Sequence, residues 1–570
     1  MFFCALAADF DGTVAHHGGV DASTLDALLR LKNTGRFLIL VTGREINDLR
    51  HALSRLDLFD LIVAENGGVI YDPQADDEVA LAAPPAAAFV QKLMERKVEP
   101  LSIGRTIVAT WHPHEGNVLA AIEELGLELQ IIFNKGAIMV LPGGINKATG
   151  LAAALRRLGL LSQNVVGVGD AENDHAFLKI CGCSAAVANA ISSVKSEADV
   201  VLKGDHGAGI VELVDRIIDQ DLAAVPATRH GLTVGRSNGT ERAIQPTDVV
   251  LIIGSSGSGK SSFATLLIEQ METRQQQYCI VDPEGDYETV DDAYTIGSRE
   301  AAPSLDAVRS LLSRDFADVI VNMSGVVFEG RSDCLARLLP SVLELKQRYS
   351  RPHWMVIDEA HHFPESSYHR LASDADVSGM VFVTMCPETL PCAILHKATV
   401  VISVGLAAPE NLARLARRLH KEVSTLSALQ PGQALLWRPL EGKGVEMLTV
   451  RAPKKPHFRH GGKYAVGDVG HERGFYFDMG GFGRVARNLS QFLEIANHVD
   501  DRTWEQHLRN GDFTRWFEHV IRDEGLARAS QQASSADISP AASRHAIHQA
   551  ILGRYKITAD AERDQKPRQA

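Results

Sequence analysis

Positive charge is the scarcer sign in this 570-residue chain, where 58 lysines and arginines stand against 71 aspartates and glutamates for a formal net charge of -13. That balance disfavours a protein wholly devoted to coating nucleic acid, although a local basic track on one face of an assembled ring stays open. Cysteine is sparse too: seven residues, an odd number, mostly inside apolar runs. Cys181 and Cys183 are badly spaced for a corner of a tetrahedral metal site, so the expectation is reduced thiols in a cytoplasmic protein. Long apolar runs are missing as well. None approaches the ~18 residues needed to span a bilayer, so no membrane partner is expected. The apolar start, Met1 to Ala8, has no basic flank and runs straight into Asp9, which reads as a strand rather than a signal peptide.

What is present is ordinary for globular protein, with 45% hydrophobic and 23% charged residues and enough length for three or four domains. Apolar strand-like runs alternate with helical periodicity up to about residue 220, the pattern of an α/β domain. A polar, turn-rich segment follows, and a second alternating series runs from Val249 to about Arg451. The expected organisation is a first α/β domain over 1–225, a second over 226–455, a small aromatic-rich domain over 456–530 and a tail over 531–570. Residues 452 to 460 read as a linker.

Asp9-Phe10-Asp11-Gly12-Thr13 follows the first apolar run. On extended chain alternate residues point the same way, so Asp9 and Asp11 face one pocket at a strand's carboxyl end. Two such carboxylates repel unless a cation or shared proton intervenes, and magnesium suits an all-oxygen set. The strand Leu38 to Val41 ends in Thr42-Gly43-Arg44, which offers a hydroxyl and backbone N–H groups to a phosphate. Lys147 heads a helical run, and Val165 to Val168 leads into Gly169-Asp170 and the acidic Glu172-Asn173-Asp174.

These elements, in this order, resemble the motifs of the haloacid dehalogenase superfamily, most closely its sugar-phosphatase-like Cof branch. Glu65-Asn66-Gly67-Gly68 and the phrase around Lys147 share that likeness, which covers about residues 1–220. The resemblance implies a Rossmann-like core in which Asp9 is the nucleophile that becomes an aspartyl-phosphate. Asp11 is then the general acid and base. It implies that Thr42, Gly43 and Lys147 hold the phosphoryl oxygens. Mg2+ would be held by Asp9, Asp170, Asp174 and the Asp11 backbone carbonyl, with Asn173 orienting the loop. The βα-alternating insertion at about 72–141 resembles a mobile α/β cap that closes over small substrates. His112 and His114 lie in it as candidate substrate contacts.

Gly254-Ser255-Ser256-Gly257-Ser258-Gly259-Lys260-Ser261-Ser262 follows the strand Val249 to Ile253 and opens a helix. That is the context a P-loop requires: glycines let backbone N–H groups wrap the phosphates of ATP, Lys260 reaches the β and γ phosphates, and Ser261 ligates magnesium. Trp354 to Ile357 is an apolar strand ending in Asp358-Glu359. Asp358 is placed to hold magnesium through its water shell, and Glu359 to polarise the attacking water. His361-His362 makes a weak metal motif, because no third ligand of suitable spacing is evident.

The wording of this region, about 226–455, resembles the HerA/FtsK group of ring-forming ATPases. Tyr278 to Tyr287 is similar to its acidic strand-end segment, and Val381 to Thr384 to its sensor strand. The resemblance implies a P-loop α/β fold and a homo-oligomeric ring. Met385 stands where that group usually has Gln, which puts coupling of hydrolysis to movement in doubt but not nucleotide binding. Arg417 and Arg418 lie on a late helix as candidates to reach a neighbour's ATP. Farther on, Phe475 to Phe477, Trp504, His507 and Trp516-Phe517 suggest a small domain with its own core. The expected function is a phosphatase for a small phosphorylated metabolite, such as a sugar phosphate, fused to an ATPase. Two rivals stand beside it: a nucleic-acid end-processing enzyme, against which the cap and the Asp358-Glu359 pair weigh, and a DNA translocase that uses the first domain only as a clamp.

Overall fold

The computed structural model describes residues 1–555 except 135, 288–289, 291, 316, 373–375, 424–428, 443, 455–463, 466–468, 471–472, 478–483, 522 and 537. Most of the expected linker and the charged end of the chain lie outside the described residues. Two compact units emerge, Met1–His230 with Lys346–Ser350, and Gly231–Leu345 with the chain from Arg351 onward. Among the described residues no helix is long and apolar enough to cross a membrane.

The first unit is built on an eight-stranded sheet. Its strands are β1 (Ala5–Asp9), β2 (Phe37–Val41), β3 (Leu61–Ala64), β4 (Val69–Asp72), β5 (Asp77–Ala80) and, after the cap strands β6 to β9 described below, β10 (Val165–Gly169), β11 (Cys183–Ala186) and β12 (Val200–Val201). The order is β12-β11-β10-β1-β2-β3-β4-β5. β1 is parallel to both neighbours, with Ala8 level with Val168 and Asp9 level with Val41. All five of its residues are buried, as a central parallel strand covered on both faces requires. The chain leaves β1 toward β2 on one side and returns as β10 on the other. That strand-order reversal opens a crevice at the carboxyl ends, where Asp9, Thr42 and Asp170 converge.

The helix Lys147–Leu158 presses against this edge. Asn146 caps it by accepting the N–H groups of Ala148 and Thr149 at 2.9 and 3.1 Å, and Thr149 Oγ1 accepts the Asn146 N–H at 3.0 Å. Its buried face, Lys147, Gly150, Leu151, Ala154 and Leu155, follows the helical period. A Cβ at Gly150 would lie 2.5 Å from Gly67 Cα and 2.6 Å from Val63 Cγ1, so only glycine allows the approach that carries Lys147 inward.

The cap is a four-stranded antiparallel sheet of β6 (Ser102–Ile103), β7 (Val108–Trp111), β8 (Leu129–Asn134) and β9 (Ala137–Pro142), in the order β6-β7-β9-β8. Helices Ala87–Glu95 and Glu115–Leu125 complete it around a core of Phe89, Leu93, Val118 and Ile138. The expected start at 72 is too early. Asp72 ends β4, and β5 pairs antiparallel with β4 as the edge of the main sheet, so the cap begins after Ala80.

The second unit carries an eleven-stranded mixed sheet. Its strands are β13 (Leu232–Ser237), β14 (Thr240–Ile244), β15 (Val249–Ile253), β16 (Tyr278–Asp282), β17 (Tyr294–Ile296), β18 (Val319–Asn322), β19 (Trp354–Ile357), β20 (Met380–Thr384), β21 (Val400–Val404), β22 (Gln433–Trp437) and β23 (Glu446–Thr449). The order is β14-β13-β23-β22-β21-β15-β20-β19-β16-β18-β17. β15 and β21, and β19 and β20, are buried throughout, the near-continuous Val/Ile runs of a parallel core. β20 lies between β15 and β19, with Thr384 level with Ile253.

The expected division at 530 does not hold. Helices Leu489–His498, Asp501–Arg509, Asp512–His519, Glu524–Ser535 and Pro540–Leu552 share one core. Ala533, Ile547, Ile551 and Tyr555, from the stretch read as tail, bury against Phe475, Phe492, Trp504, Phe513 and Trp516. Low sequence complexity hid an apolar stripe that pays off only in tertiary packing.

Candidate functional site

At the first crevice Lys147 is buried and donates from Nζ to Asp9 Oδ1 at 2.5 Å and to Asp174 Oδ1 at 2.6 Å. Asp174 Oδ2 accepts the backbone N–H groups of Asp170 and Ala171, each at 2.9 Å, which fixes the acidic loop onto the end of β10. Asp9, Asp170 and Asp174 are all buried, with oxygens within 4.8 Å of one another. Burial first, then Asp174, pushes the Asp9 carboxyl up to about 8 against the pull of Lys147. Burial works against the Lys147 proton, but Asp174 and Asp9 outweigh it and hold the ammonium charged. Three buried carboxylates facing one ammonium leave negative charge to be neutralised. The donor set is all oxygen, which fits a hard divalent cation such as magnesium.

Asp11 lies one residue beyond Phe10 and is half-exposed. Arg44 grips it bidentately, Nε to Oδ2 at 2.8 Å and Nη2 to Oδ1 at 2.7 Å. The Asp11 partner was not foreseen, although Thr42-Gly43-Arg44 had been singled out. Thr42 is buried, and its Oγ1 accepts the Arg44 N–H at 3.1 Å. Gly43 lines the cavity, where a Cβ would lie 3.4 Å from Met139 Sδ of the cap. Asn173 donates to Asn66 Oδ1 at 3.2 Å, in keeping with an orienting role.

Glu65 shows what the Glu65-Asn66-Gly67-Gly68 phrase does. Its Oε1 accepts the Arg105 N–H at 2.9 Å, and its Oε2 accepts the N–H and hydroxyl of Thr106 at 2.7 and 2.9 Å. The core thereby grips the root of β7. Gly68 is required because a Cβ there would fall 1.8 Å from Thr106 Oγ1. Core and cap enclose a cavity of about 480 Å³ between Asp9, Asp11, Arg44, Lys147 and the cap residues Thr110 and Trp111. His112 and His114 are not among its lining residues; His112 pairs with Glu115 and His114 with the Glu99 carbonyl.

In the second unit the loop from Gly254 to Gly259 links β15 to the helix Lys260–Thr273. Gly257 and Gly259 take φ of 80° and 100°, which non-glycine residues rarely adopt. Gly254 is held between β21 and the loop, since a Cβ there would lie 2.6 Å from the Val404 carbonyl and 2.4 Å from Ser258 Oγ. Lys260 donates to the Ser255 carbonyl at 2.9 Å. Ser261 is buried in the first turn, and Ser255, Ser256 and Ser262 are partly exposed.

Across β20, Asp358 is buried at the end of β19 and accepts the Glu359 N–H at 2.8 Å. Burial, then Glu359 and Asp286, raises its carboxyl well above the usual range, and burial with Asp286 pushes Asp282 up to about 7. Glu359 adopts φ 42° and turns toward His361, whose Nδ1 lies 3.3 Å from Oε2. His361 and His362 do have a third donor within 4.8 Å, Glu359 itself, which the turn brings back beside them. Burial lowers His361 to about 4, so it is neutral near pH 7. Met385 follows Thr384 directly, half-buried, while Arg417 and Arg418 are exposed.

Residues 6–101 and 117–214 match the haloacid dehalogenase-like hydrolase family, and residues 247–324 match the central domain of helicase HerA. The phosphoglycolate phosphatase of Methanopyrus kandleri is 28% identical over 230 residues, 37% of this chain and 96% of that protein. That of Natronomonas pharaonis is 28% identical over 225 residues, 38% and 97% of the two chains. A solved haloacid dehalogenase-like hydrolase from Bacteroides thetaiotaomicron is 19% identical, covers 38% of this chain and 99% of its own, and has a TM-score of 0.34. By the family and relative matches, the first unit carries a haloacid dehalogenase-like phosphatase domain, and the second carries a HerA-type ATPase domain matched over residues 247–324.

Proposed function

We propose that the first unit hydrolyses a small phosphorylated metabolite, in the manner of a sugar phosphatase, through an aspartyl-phosphate at Asp9. The observation that carries this is the shared cavity: Asp9 and Lys147 line a space of about 480 Å³ that cap residues border on its other side. That space suits a phosphate with a few carbons, not a polymer. The described cap residues lining it are neutral, with Ser102, Thr110 and Asn134 as hydrogen-bonding groups, which favours a hydroxylated leaving group.

Lys147 holds Asp9 Oδ1 and orients Oδ2 to attack phosphorus. Thr42, Gly43 and Lys147 receive the phosphoryl oxygens, and Asp11 protonates the departing alkoxide once Arg44 releases it. Asp11 then takes a proton from the water that cleaves the aspartyl-phosphate, returning Asp9 and inorganic phosphate. Asp9, Asp170, Asp174 and the Asp11 carbonyl would hold Mg2+, which supplies neutralisation of the phosphoryl charge. The test is a panel of sugar phosphates and short phospho-acids, including the phosphoglycolate named for the relatives. Selective turnover of phosphoglycolate would overturn the sugar-phosphate assignment, and no turnover of any small ester would overturn the whole reading.

The second unit is proposed to bind ATP with magnesium at residues 254 to 262 and Asp358, and to hydrolyse it with Glu359 as the group that polarises water. One observation favours nucleic acid as a further partner of this unit. A groove of about 820 Å³ is lined by Arg236, Arg274, Arg451 and Lys454, with Glu241 paired to Arg236 at 3.0 Å as its one acidic lining residue among those described. ATP hydrolysis stimulated by DNA and suppressed by salt would support that second reading; indifference to DNA would remove it.

A further inference from the structure

The Gly257–Ser262 stretch of the P-loop lies beside the end of the C-terminal helix bundle. It forms one wall of a cavity of about 380 Å³ whose other wall is the end of the C-terminal helix bundle: Gln549, Ala550, Gly553 and Arg554. Lys260, Ser261 and Ser262 line it on the loop side, so it borders the phosphate-binding face of the loop.

Arg554 is seated for a ligand. Its guanidinium lies over Gly525, where a Cβ would fall 2.1 Å from Nη2, and its nearest acidic partner, Asp523 Oδ1, is 3.5 Å away. Asp523 is fully buried and already accepts the N–H groups of Gly525 and Leu526 at 2.9 and 3.0 Å and the Tyr555 hydroxyl at 3.0 Å. Asp523 thus stays satisfied without the arginine. The guanidinium, 40% exposed, donates from Nη1 to Asp523 Oδ1 at 3.5 Å and lines the cavity with its remaining donors.

We infer that the C-terminal bundle completes the nucleotide site in cis, with Arg554 binding the diphosphate of an adenine or other nucleotide and Gln549 facing its nucleoside end. The inference rests on the P-loop being a nucleotide site. Gly525 and Asp523 preorganise the arginine, so its contribution is to affinity and not to the chemical step.

The experiment titrates the full chain with fluorescent ADP and a non-hydrolysable ATP analogue, alongside steady-state ATP hydrolysis. Arg554→Ala should weaken both nucleotides by roughly tenfold or more and raise KM, not lower kcat. Gly525→Ala, which displaces the guanidinium while adding helix propensity, should also weaken both without lowering the melting temperature of the bundle, followed through buried Trp504 and Trp516. Wild-type affinity for both nucleotides in Arg554→Ala overturns the inference. Loss confined to the ATP analogue overturns its assignment to the diphosphate. Lys260→Ala separates the premise: if that variant also binds normally, the P-loop reading itself has failed.

Discussion

Replacing Asp9, the proposed nucleophile, should abolish phosphatase activity and at the same time stabilise the metal-free unit. Asp9 is buried beside Asp174, and its carboxyl is pushed up to about 8 from an ordinary 3.8. A carboxyl whose folded pKa is raised binds its proton more tightly in the native state than in the unfolded one. Its destabilising contribution is absent below about pH 4, grows as pH rises, and levels off above about 8. At pH 7 the gap of about three units sets a ceiling of about 4 kcal/mol, from about 1.4 kcal/mol per unit. Asp9→Asn removes the charge but also removes one of the two anionic partners of Lys147, so a realised gain of ~1–2 kcal/mol is expected. Hydrogen exchange of the β1 amides in EDTA reads this unit alone. At pH 7.5 the variant should exchange roughly tenfold more slowly than the parent, the difference should shrink toward pH 5, and magnesium should protect the parent far more than the variant. Magnesium-dependent release of phosphate from an aryl phosphate should vanish. Faster exchange in the variant at every pH would show that the Lys147 pairing outweighs burial and would refute the reasoning.

Lys260→Ala should abolish ATP hydrolysis and leave phosphate release from an aryl ester intact, both measured on one preparation; equal loss of both would mean that the two sites form one coupled machine. Gly150→Ala drives a methyl into Gly67 and Val63 and should destabilise the first unit by about 1–3 kcal/mol, read as faster exchange of the Lys147–Leu158 helix amides. His361 is held near 4, below its ordinary 6.5, by burial. Its share of stability is therefore present above about pH 6.5 and is lost as pH falls toward 4. His361→Asn should flatten that acid limb in the exchange of β19, and an unchanged limb would assign the acid sensitivity to other groups.

The meeting of the first site's residues was legible because their motifs sit at the carboxyl ends of strands whose parallel register can be anticipated. Val41, Asp9 and Val168 fall where the sheet needs them, so the groups beyond them meet. Less legible were contacts made at a distance in sequence. The Arg44–Asp11 fork joins two motifs that reading each alone keeps apart. The Glu65 grip on Thr106 depends on where the cap's root passes, which no periodicity discloses. The cap boundary was misplaced because β5 carries a polar, exposed edge-strand sequence that looks like the start of an insertion.

The C-terminal region shows the opposite limit. Its Ala-, Ser- and Gln-rich stretch has little local signal, yet Ser539 and Asp523 cap its helices through side-chain bonds to Ala542 and to Gly525 and Leu526. Capping of this kind is visible in sequence only after the helices are known. The same Asp523 that starts a helix also sits under Arg554, so one buried carboxylate fixes both the bundle's geometry and the position of its cation. Arg417 and Arg418, read as candidates to reach a neighbouring subunit's ATP, are exposed on this chain, and Arg554 comes from the stretch read as a tail. What holds a head group in place decides where its donors lie, and for Arg554 that is set by Gly525 and Asp523, some thirty residues away along the chain.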